Sequence, residues 1–293
     1  MTEITNIVSV MQKKQLFLKK PLSGLFWKYR LATWRSRSLP NFIIVGAQKA
    51  GTTSLFTYLS QHPQIVSPLK KEVHFFDRVT SSRGNKLAKG EAWYRAHFPM
   101  NKSINKCCQT FEASPSYIFN PLVPHRIFQL VPETKIIALL INPTERAISH
   151  YFHSVQLGRE ILSIREALQR EEERLQFSIN NQNYQDKSFI NHSYKSRGLY
   201  KQQIERFLNY FSREQILILS SEDMFSEPDK VLREVFNFLG LNDFTIPNLK
   251  PCNVASNKTM VETDIYMDLN KFFKPHNRML YELIGKEFDW EKY

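Results

Sequence analysis

The sequence predicts an α/β fold in which a central, mainly parallel sheet is flanked by helices. Three short runs of apolar, often β-branched residues lie far apart in the chain: residues 42–46 (FIIVG), 135–141 (KIIALLI) and 215–220 (QILILS). Continuous apolar runs of this length suit strands that are buried on both faces. Helical patterns lie between these runs, and strands that alternate with helices are typical of a parallel sheet.

Six segments carry apolar residues at the spacing of an amphipathic helix. We expect helices over residues 52–61, 143–157, 163–175, 199–211, 227–240 and 262–285. Gly240 is a suitable C-cap for the fifth of these helices. The Asn- and Gln-rich residues 179–185 predict a loop.

Length and composition favour one large domain. The chain has 293 residues, 42% of them hydrophobic and 13% aromatic, which is enough to enclose one sizeable core. The three cysteines, Cys107, Cys108 and Cys252, are too few for a disulfide scaffold. This cysteine usage predicts a reducing, cytoplasmic location.

The positive charge is concentrated in an N-terminal arm. The net charge is +12, but residues 1–39 hold eight Lys or Arg and one acid, so the arm carries +7 and residues 40–293 carry only +5. We therefore expect a basic, aromatic arm over 1–39 and a functional domain over 40–293. The mildly basic domain does not favour a nucleic acid as partner.

Two interpretations of the structure of this arm are open. Its aromatic and basic residues could form an amphipathic helix on an anionic membrane surface, or its aromatics could pack on the domain while its cations face water. It could also cover an acceptor site or support a homodimer. No apolar run approaches the roughly 20 residues that span a bilayer, and no signal-peptide pattern is present.

The first strand is followed by GAQKAGTT, residues 46–53, which predicts an anion site. A turn between a strand and a helix brings backbone N–H groups and the positive end of the helix dipole together. Gly51 allows close backbone approach, Thr52 and Thr53 offer hydroxyls, and Lys49 adds a cation. Nucleotide hydrolases place the lysine directly after the second glycine, where this chain has Thr52. The loop therefore predicts a bound phosphate without a metal. The alternative is a turn between strand and helix that carries a lysine on the surface.

A polar and aromatic stretch, SPLKKEVHFFDR at 67–78, predicts acid–base chemistry. In an extended segment Glu72 and His74 would point to the same side. A carboxylate beside an imidazole, close to a bound anion, is a candidate general base with a helper. The alternative is that both side chains simply face solvent.

Several motifs in this order resemble the sulfotransferases that use 3'-phosphoadenosine 5'-phosphosulfate (PAPS). The likeness is greatest to the heparan-sulfate 3-O-sulfotransferase and N-sulfotransferase branch and its bacterial relatives, and it covers most of residues 41–290. The motifs are IIVGAQKAGTTSLFTYLSQHPQI, KEVHFFD, EASPSYIF, NPTERAISHYFH, SRGLYKQQIERFL and MLYELIGKEFDW.

The resemblance implies a donor site for PAPS that needs no metal. Lys49 matches the lysine that contacts the 5'-phosphosulfate and stabilises charge on the leaving side. Ser149 matches the serine that holds the donor's 3'-phosphate. Further donor contacts are implied for Gly51, Thr52, Thr53, Ser54, Arg197 and Lys258, whereas Arg146 matches a residue that is more often structural.

The resemblance also implies the catalytic base. Glu72 matches the residue that removes a proton from the acceptor, His74 a residue beside that base, and Asp77 a position near the acceptor. Phe76 belongs to a group of aromatics that could line an apolar acceptor pocket or lie in the core.

The chain departs from the family at three places. Ile141 stands where the family usually has an arginine for the 3'-phosphate, so either Arg197 and Lys258 compensate or donor affinity is reduced. Ala113 replaces a lysine of the 3-O-sulfotransferase branch, and Cys252 is alone where the Golgi enzymes carry a disulfide; with the domain's modest charge, both argue against a long polyanionic acceptor. Residues 251–260 are also shorter than the family's late donor-binding loop.

The predicted function is transfer of a sulfuryl group from PAPS to a hydroxyl or amine, with release of adenosine 3',5'-bisphosphate. The acceptor would be a small molecule, a glycan or a lipid-linked compound, as in bacterial natural-product or glycolipid sulfation. Two alternatives stay open: a binding protein that keeps the fold with reduced or lost catalysis, and a nucleotide kinase or hydrolase with a variant loop.

Overall fold

The computed structural model describes residues 20–78, 85–103, 108–252 and 261–290. Its centre is a four-stranded sheet in the order β2-β1-β3-β4, and every neighbouring pair is parallel. The strands are β1 (Phe42–Gly46), β2 (Phe111–Ala113), β3 (Lys135–Leu140) and β4 (Ile216–Ser220). Because all four are parallel, their carboxyl ends share one edge of the sheet, where ligands of such folds bind.

The three predicted strands are confirmed, and their register places the apolar runs in the core. Phe42 lies opposite Phe111 on one side and Lys135 on the other, while Ile136 lies opposite Ile216. Every residue of β1 is buried. The predicted α/β class with a parallel sheet is therefore confirmed.

Helices surround the sheet and join the strands. Among the described residues they are α1 (Lys20–Ala32), α2 (Thr52–Leu59), α3 (Gly90–Arg95), α4 (Val123–Leu130), α5 (Pro143–Gln156), α6 (Ile164–Gln169), α7 (Glu171–Asn180), α8 (Lys187–Asn191), α9 (Tyr200–Leu208), α10 (Ser221–Ser226), α11 (Pro228–Leu239) and α12 (Thr263–Ile284).

The predicted helix over 163–175 is in fact two helices. Ser163 begins α6 with a capping box, and Arg170, at φ −86° and ψ 2°, separates it from α7. Three acids in the first turn of α7 favour a new start there because they complement the helix dipole. Consequently α7 extends to Asn180 and enters the segment predicted as a loop. Gly240 ends α11 at φ 72°, as predicted.

The described part of the N-terminal arm packs on the domain. The Trp27 ring lies 6.2 Å from Trp93 and 4.9 Å from His97, on and beside α3. Arg30 donates to the carbonyls of Ala96 and Phe98 and is buried with Arg37. The aromatic packing matches one reading of the arm, but these two cations lie inside the protein instead of facing water. Residues 1–19 lie outside the described residues.

The carboxyl edge of the sheet is closed by residues from the end of the chain. The Asn142 side chain accepts from the N–H of Thr144 and so caps α5. Its amide nitrogen donates to the carbonyl of Trp290 at 3.1 Å, and the Trp290 indole donates to Glu222 at 3.1 Å. Glu222 also accepts from the backbone N–H of Asn142 at 2.8 Å. These bonds tie the ends of β3 and β4 together. None of the helices in the described ranges has the length and apolar character needed to cross a membrane.

Candidate active site

The loop after β1 lies at the carboxyl edge and has two residues in the left-handed region. Lys49 has φ 75° and Gly51 has φ 85°. A Cβ atom on Gly51 would lie 2.7 Å from the Phe225 ring, so only glycine fits both the dihedral and the space. The Ser221 hydroxyl donates to the carbonyl of Ala50 at 2.9 Å and fixes the loop to α10.

Lys49 is a half-buried cation without a carboxylate partner among the described residues. Burial lowers the pKa of its ammonium group. Its charge also contributes to lowering the pKa values of His150 and His153 on α5. The Oε1 atom of neighbouring Gln48 is buried without a partner. A cation without a counter-ion, beside the start of α2, fits an anionic ligand.

The predicted hydroxyls of this loop divide into two groups. Thr52 is buried and Thr53 is half-buried in the first turn of α2. Ser54 is fully buried, and its hydroxyl accepts from the backbone N–H of Cys252 at 2.8 Å. Its side chain therefore anchors the chain at Cys252, and the donor contact predicted for Ser54 stays a prediction. Lys258 falls within 253–260, outside the described residues.

Glu72 and His74 meet, but not through the extended backbone that the sequence predicted. Both have left-handed dihedrals, φ 61° and φ 56°, on either side of the buried Val73. The Glu72 N–H donates to the carbonyl of Ala113, at the end of β2, at 2.9 Å. The Nε2 atom of His74 lies 3.5 Å from Oε2 of Glu72. The candidate base therefore stands at the carboxyl end of β2, the strand that neighbours β1 and its anion loop.

The charges around Glu72 keep it ionised. Its Oε1 atom lies 2.7 Å from the Lys71 ammonium, and the pKa of Glu72 is lowered to about 2, first by the hydrogen bond from His74 and then by Lys71, against the effect of burial. Burial lowers the pKa of His74, but its bonds to Asp77 and Glu72 outweigh burial, and the net shift is upward.

Asp77 and Phe76 make contacts within the protein, and the acceptor contacts predicted for them stay predictions. The Asp77 carboxylate is buried, lies 3.0 Å from Nδ1 of His74 and accepts from the Ser116 hydroxyl at 2.5 Å. It therefore holds the His74 ring. Phe76 has no exposed surface and packs on Tyr94 and other core aromatics. It is a core residue in this structure.

A buried carboxylate that the sequence did not single out holds the segment in place. Glu112 on β2 accepts from the hydroxyls of Tyr94 (2.5 Å), Tyr117 (2.6 Å) and Ser114 (2.8 Å). The Tyr117 oxygen in turn accepts from the Phe75 N–H, and the Ser114 oxygen accepts from the His74 N–H. The signal in the sequence for this role was an acidic residue within the apolar pattern of a strand.

The third group of predicted residues lies on and beside α5. Ser149 is half-buried on α5, and its hydroxyl has no hydrogen-bond partner in the described part of the chain. Arg197 is buried, donates from Nε to the Ser193 hydroxyl at 2.9 Å and stacks over Phe119 at 4.4 Å. Burial, followed by the charge of Arg146, lowers the pKa of Arg197 to about 9. The charge of Arg197 also contributes to lowering the pKa of His150, the residue after Ser149.

Known proteins are similar to this chain in sequence. A family model described as a sulfotransferase domain matches residues 39–273. The membrane-associated sulfotransferase kil1 of Dictyostelium discoideum is 29% identical over 322 residues, covering 86% of this chain and 67% of that protein. Heparan sulfate glucosamine 3-O-sulfotransferase 3B1 of Mus musculus is 31% identical over 279 residues, covering 87% of this chain and 66% of that protein. The chain thus spans about two thirds of the length of these curated relatives.

A solved structure agrees with the sequence relatives. The sulfotransferase from Alicyclobacillus acidocaldarius superposes with a TM-score of 0.71 at 33% identity, covering 87% of this chain and 100% of that chain. The family predicted from the motifs, and with it a sulfotransferase-type enzyme, is confirmed. The chain belongs to the sulfotransferase domain family.

Proposed function

We propose that the chain transfers a sulfuryl group from PAPS to a hydroxyl or amine of an acceptor and releases adenosine 3',5'-bisphosphate. The observation that carries this proposal is the adjacency of two half-sites. An anion loop follows β1 and carries Lys49, which has no carboxylate partner in the described part of the chain, and the Glu72–His74–Asp77 group stands at the end of neighbouring β2. Transfer between a bound anion and a nucleophile needs both at one sheet edge.

On the donor side, the loop supplies positive charge and N–H donors. PAPS, when bound, supplies the activated sulfuryl group. Lys49 and the first turn of α2, with Thr52 and Thr53, stabilise negative charge that develops on the leaving side. We infer that Ser149 and Arg197 hold the 3'-phosphate. These donors suffice without a metal ion, so metal-independent transfer is part of the proposal.

On the acceptor side, Glu72 takes the proton. About half of its side-chain surface is exposed, and its two oxygens face Lys71 and His74. An acceptor O–H or N–H that replaces Lys71 as donor removes one stabiliser of the carboxylate, which raises the pKa of Glu72 and lets it accept the proton. His74 keeps the carboxylate oriented, and Asp77 with Ser116 fixes the imidazole ring.

We further propose that the acceptor is a small molecule, a glycan or a lipid-linked compound, in the cytoplasm. Ala113 and the modest charge of the domain weigh against a long polyanion. On α1, Leu25, Lys28 and Tyr29 are exposed, which leaves a surface for peripheral membrane contact or for a second copy of the chain. These two uses of the arm are alternatives.

The test is transfer from ³⁵S-labelled PAPS to a panel containing a phenol, an amino sugar, a glycolipid and heparan sulfate, with and without a chelator. We expect labelled product that survives the chelator. A strict Mg²⁺ requirement would favour the variant nucleotide kinase. Binding of adenosine 3',5'-bisphosphate without transfer to any acceptor would favour a binding protein, the alternative that Ile141 motivates.

A further inference from the structure

Three basic side chains converge in the interior beside α5. Arg146, His150 and Arg197 are exposed by 0%, 2% and 6%. They meet at one short segment: Arg146 donates to the carbonyl of Tyr194, the His150 ring lies 5.0 Å from the Tyr194 ring, and Arg197 donates to the Ser193 hydroxyl. We call these three residues the basic cluster.

Within the described ranges, no member of the basic cluster forms a direct ion pair with a carboxylate. The charge of Glu171 acts on both arginines and that of Asp77 on Arg197, but both carboxylates are hydrogen-bonded to other groups. Buried charges in proteins are normally in direct contact with an opposite charge, because leaving water is costly for an ion. Two buried arginines without such a contact therefore point to an anion as a further partner.

Several donors of the cluster are also unused. The Nε and Nη1 atoms of Arg146 and the Nδ1 atom of His150 are buried and have no hydrogen-bond partner among the residues that the structure describes. Buried polar atoms are nearly always bonded, and each exception calls for a water, an ion or a functional role. The unused atoms and the missing charge point to the same kind of ligand.

The position of the cluster suggests which anion this is. Arg146, Ser149 and His150 share one face of α5, since residues three and four apart lie together on a helix. Lys49 of the anion loop acts on the same face. Ile141, two residues before α5 begins, offers no charge of its own, and its carbonyl accepts from the Tyr200 hydroxyl at 2.9 Å.

We propose that Arg146 and Arg197 supply the positive charge, and His150 a hydrogen-bonding ring nitrogen, that hold the donor's 3'-phosphate in place of the arginine absent at Ile141. This rests on the proposed function. Ser149 and Arg197 contact the phosphate, whereas Arg146, through its charge, and His150, through its ring nitrogen, act from behind them, since both have almost no exposed surface. The basic cluster thus makes the donor site specific for nucleotides that carry a 3'-phosphate.

The test compares two probes by titration calorimetry: adenosine 3',5'-bisphosphate, and adenosine 5'-phosphate, which lacks the 3'-phosphate. We expect His150→Gln and Arg146→Gln each to weaken binding of the bisphosphate about tenfold or more, the usual effect of losing a charged hydrogen bond. Binding of the monophosphate should change less than about threefold, since only the 3'-phosphate site is altered. Thermal melts confirm folding, and His150→Gln alone carries the test if Arg146→Gln does not fold.

A rescue and a control sharpen the result. Ile141→Arg in the His150→Gln background should restore the preference for the bisphosphate, because it places a cation at the position where the arginine for the 3'-phosphate is absent. Lys230→Gln, which removes an exposed lysine on α11, should change neither affinity.

Equal losses for both probes, or no loss, would overturn the proposal. So would a wild-type protein that binds both nucleotides with the same affinity, although the proposed function would then stand. Failure to bind either nucleotide would refute the proposed function itself, and with it this inference.

Discussion

Replacing Glu72 with glutamine should separate catalysis from donor binding. Glutamine keeps the size and one hydrogen-bond acceptor of the side chain but cannot take a proton. Loss of a general base typically costs about 10² to 10⁴ in rate. We therefore expect Glu72→Gln to transfer at least about a hundredfold more slowly than wild type, while adenosine 3',5'-bisphosphate binds unchanged.

The same substitution should have a modest effect on stability. The fall in the pKa of Glu72 from 4.5 to about 2 would correspond to about 3 kcal/mol for a fully buried carboxylate. Because 46% of the side chain is exposed, water screens its partners, and we expect about 1 kcal/mol. A lowered carboxylate pKa stabilises the fold above the unfolded value near 4.5. That contribution disappears as the pH falls from about 4.5 to about 2.

The assay follows labelled transfer together with melting temperature in the presence of the bisphosphate. At a concentration of 100 Kd the ligand should stabilise wild type and Glu72→Gln alike, by about 2.7 kcal/mol. Glu91→Gln is a matched control, because Glu91 is also a partly exposed acid that pairs with a cation, Arg95, at 2.5 Å. Near-normal transfer by Glu72→Gln would refute the base assignment, and loss of ligand stabilisation would show that Glu72 acts in binding.

Three further changes test the other parts of the site. Lys49→Ala should lower transfer more than about a hundredfold, since it removes the cation of the loop, and Lys49→Arg should recover part of the rate in the same assay; a normal rate in the alanine variant would contradict this role. Asp77→Asn should lower the pKa of His74, because the carboxylate that counteracts the effect of burial on this pKa is then missing. An NMR titration that finds an unchanged pKa of His74 would exclude the contact between the two side chains. Gly51→Ala should destabilise the protein by about 2–4 kcal/mol in a denaturant titration, through left-handed strain and a clash with the ring beside it. Gly240→Ala, which meets no atom within 4 Å, should cost about 1 kcal/mol, and equal losses for both would refute the clash.

Most of the sheet and the helices could be predicted, because their information is local. The apolar run at 42–46 predicts a strand, and the periodic pattern of 227–240 predicts a helix. The strand β2 could not be found in this way, since it has three residues and one of them is the charged Glu112. Its pairing with β1 comes from tertiary contacts that no short window contains.

The site was predicted in its residue types more than in its geometry. The pairing of Glu72 with His74 was expected, but their left-handed backbone depends on hydrogen bonds that the N–H groups of this segment donate to Ser114 and Tyr117, about 40 residues away. The Ser54 hydroxyl bonds to a residue 198 positions later, and no local pattern announces this. Long-range bonds of this kind decide which polar residue meets a ligand and which one supports the chain.

The bonds between Asn142 and Trp290 bear on how the protein is made. The two residues are 148 positions apart, so at about 5–20 residues per second the ribosome needs about 7–30 s to travel from one to the other. For the last 70 residues of that stretch, about 4–14 s, β3 and β4 have both been synthesised but the indole that joins their ends has not. The nascent chain therefore carries an open sheet edge for several seconds. Chaperones can bind the chain during this time, and a translational pause would lengthen it.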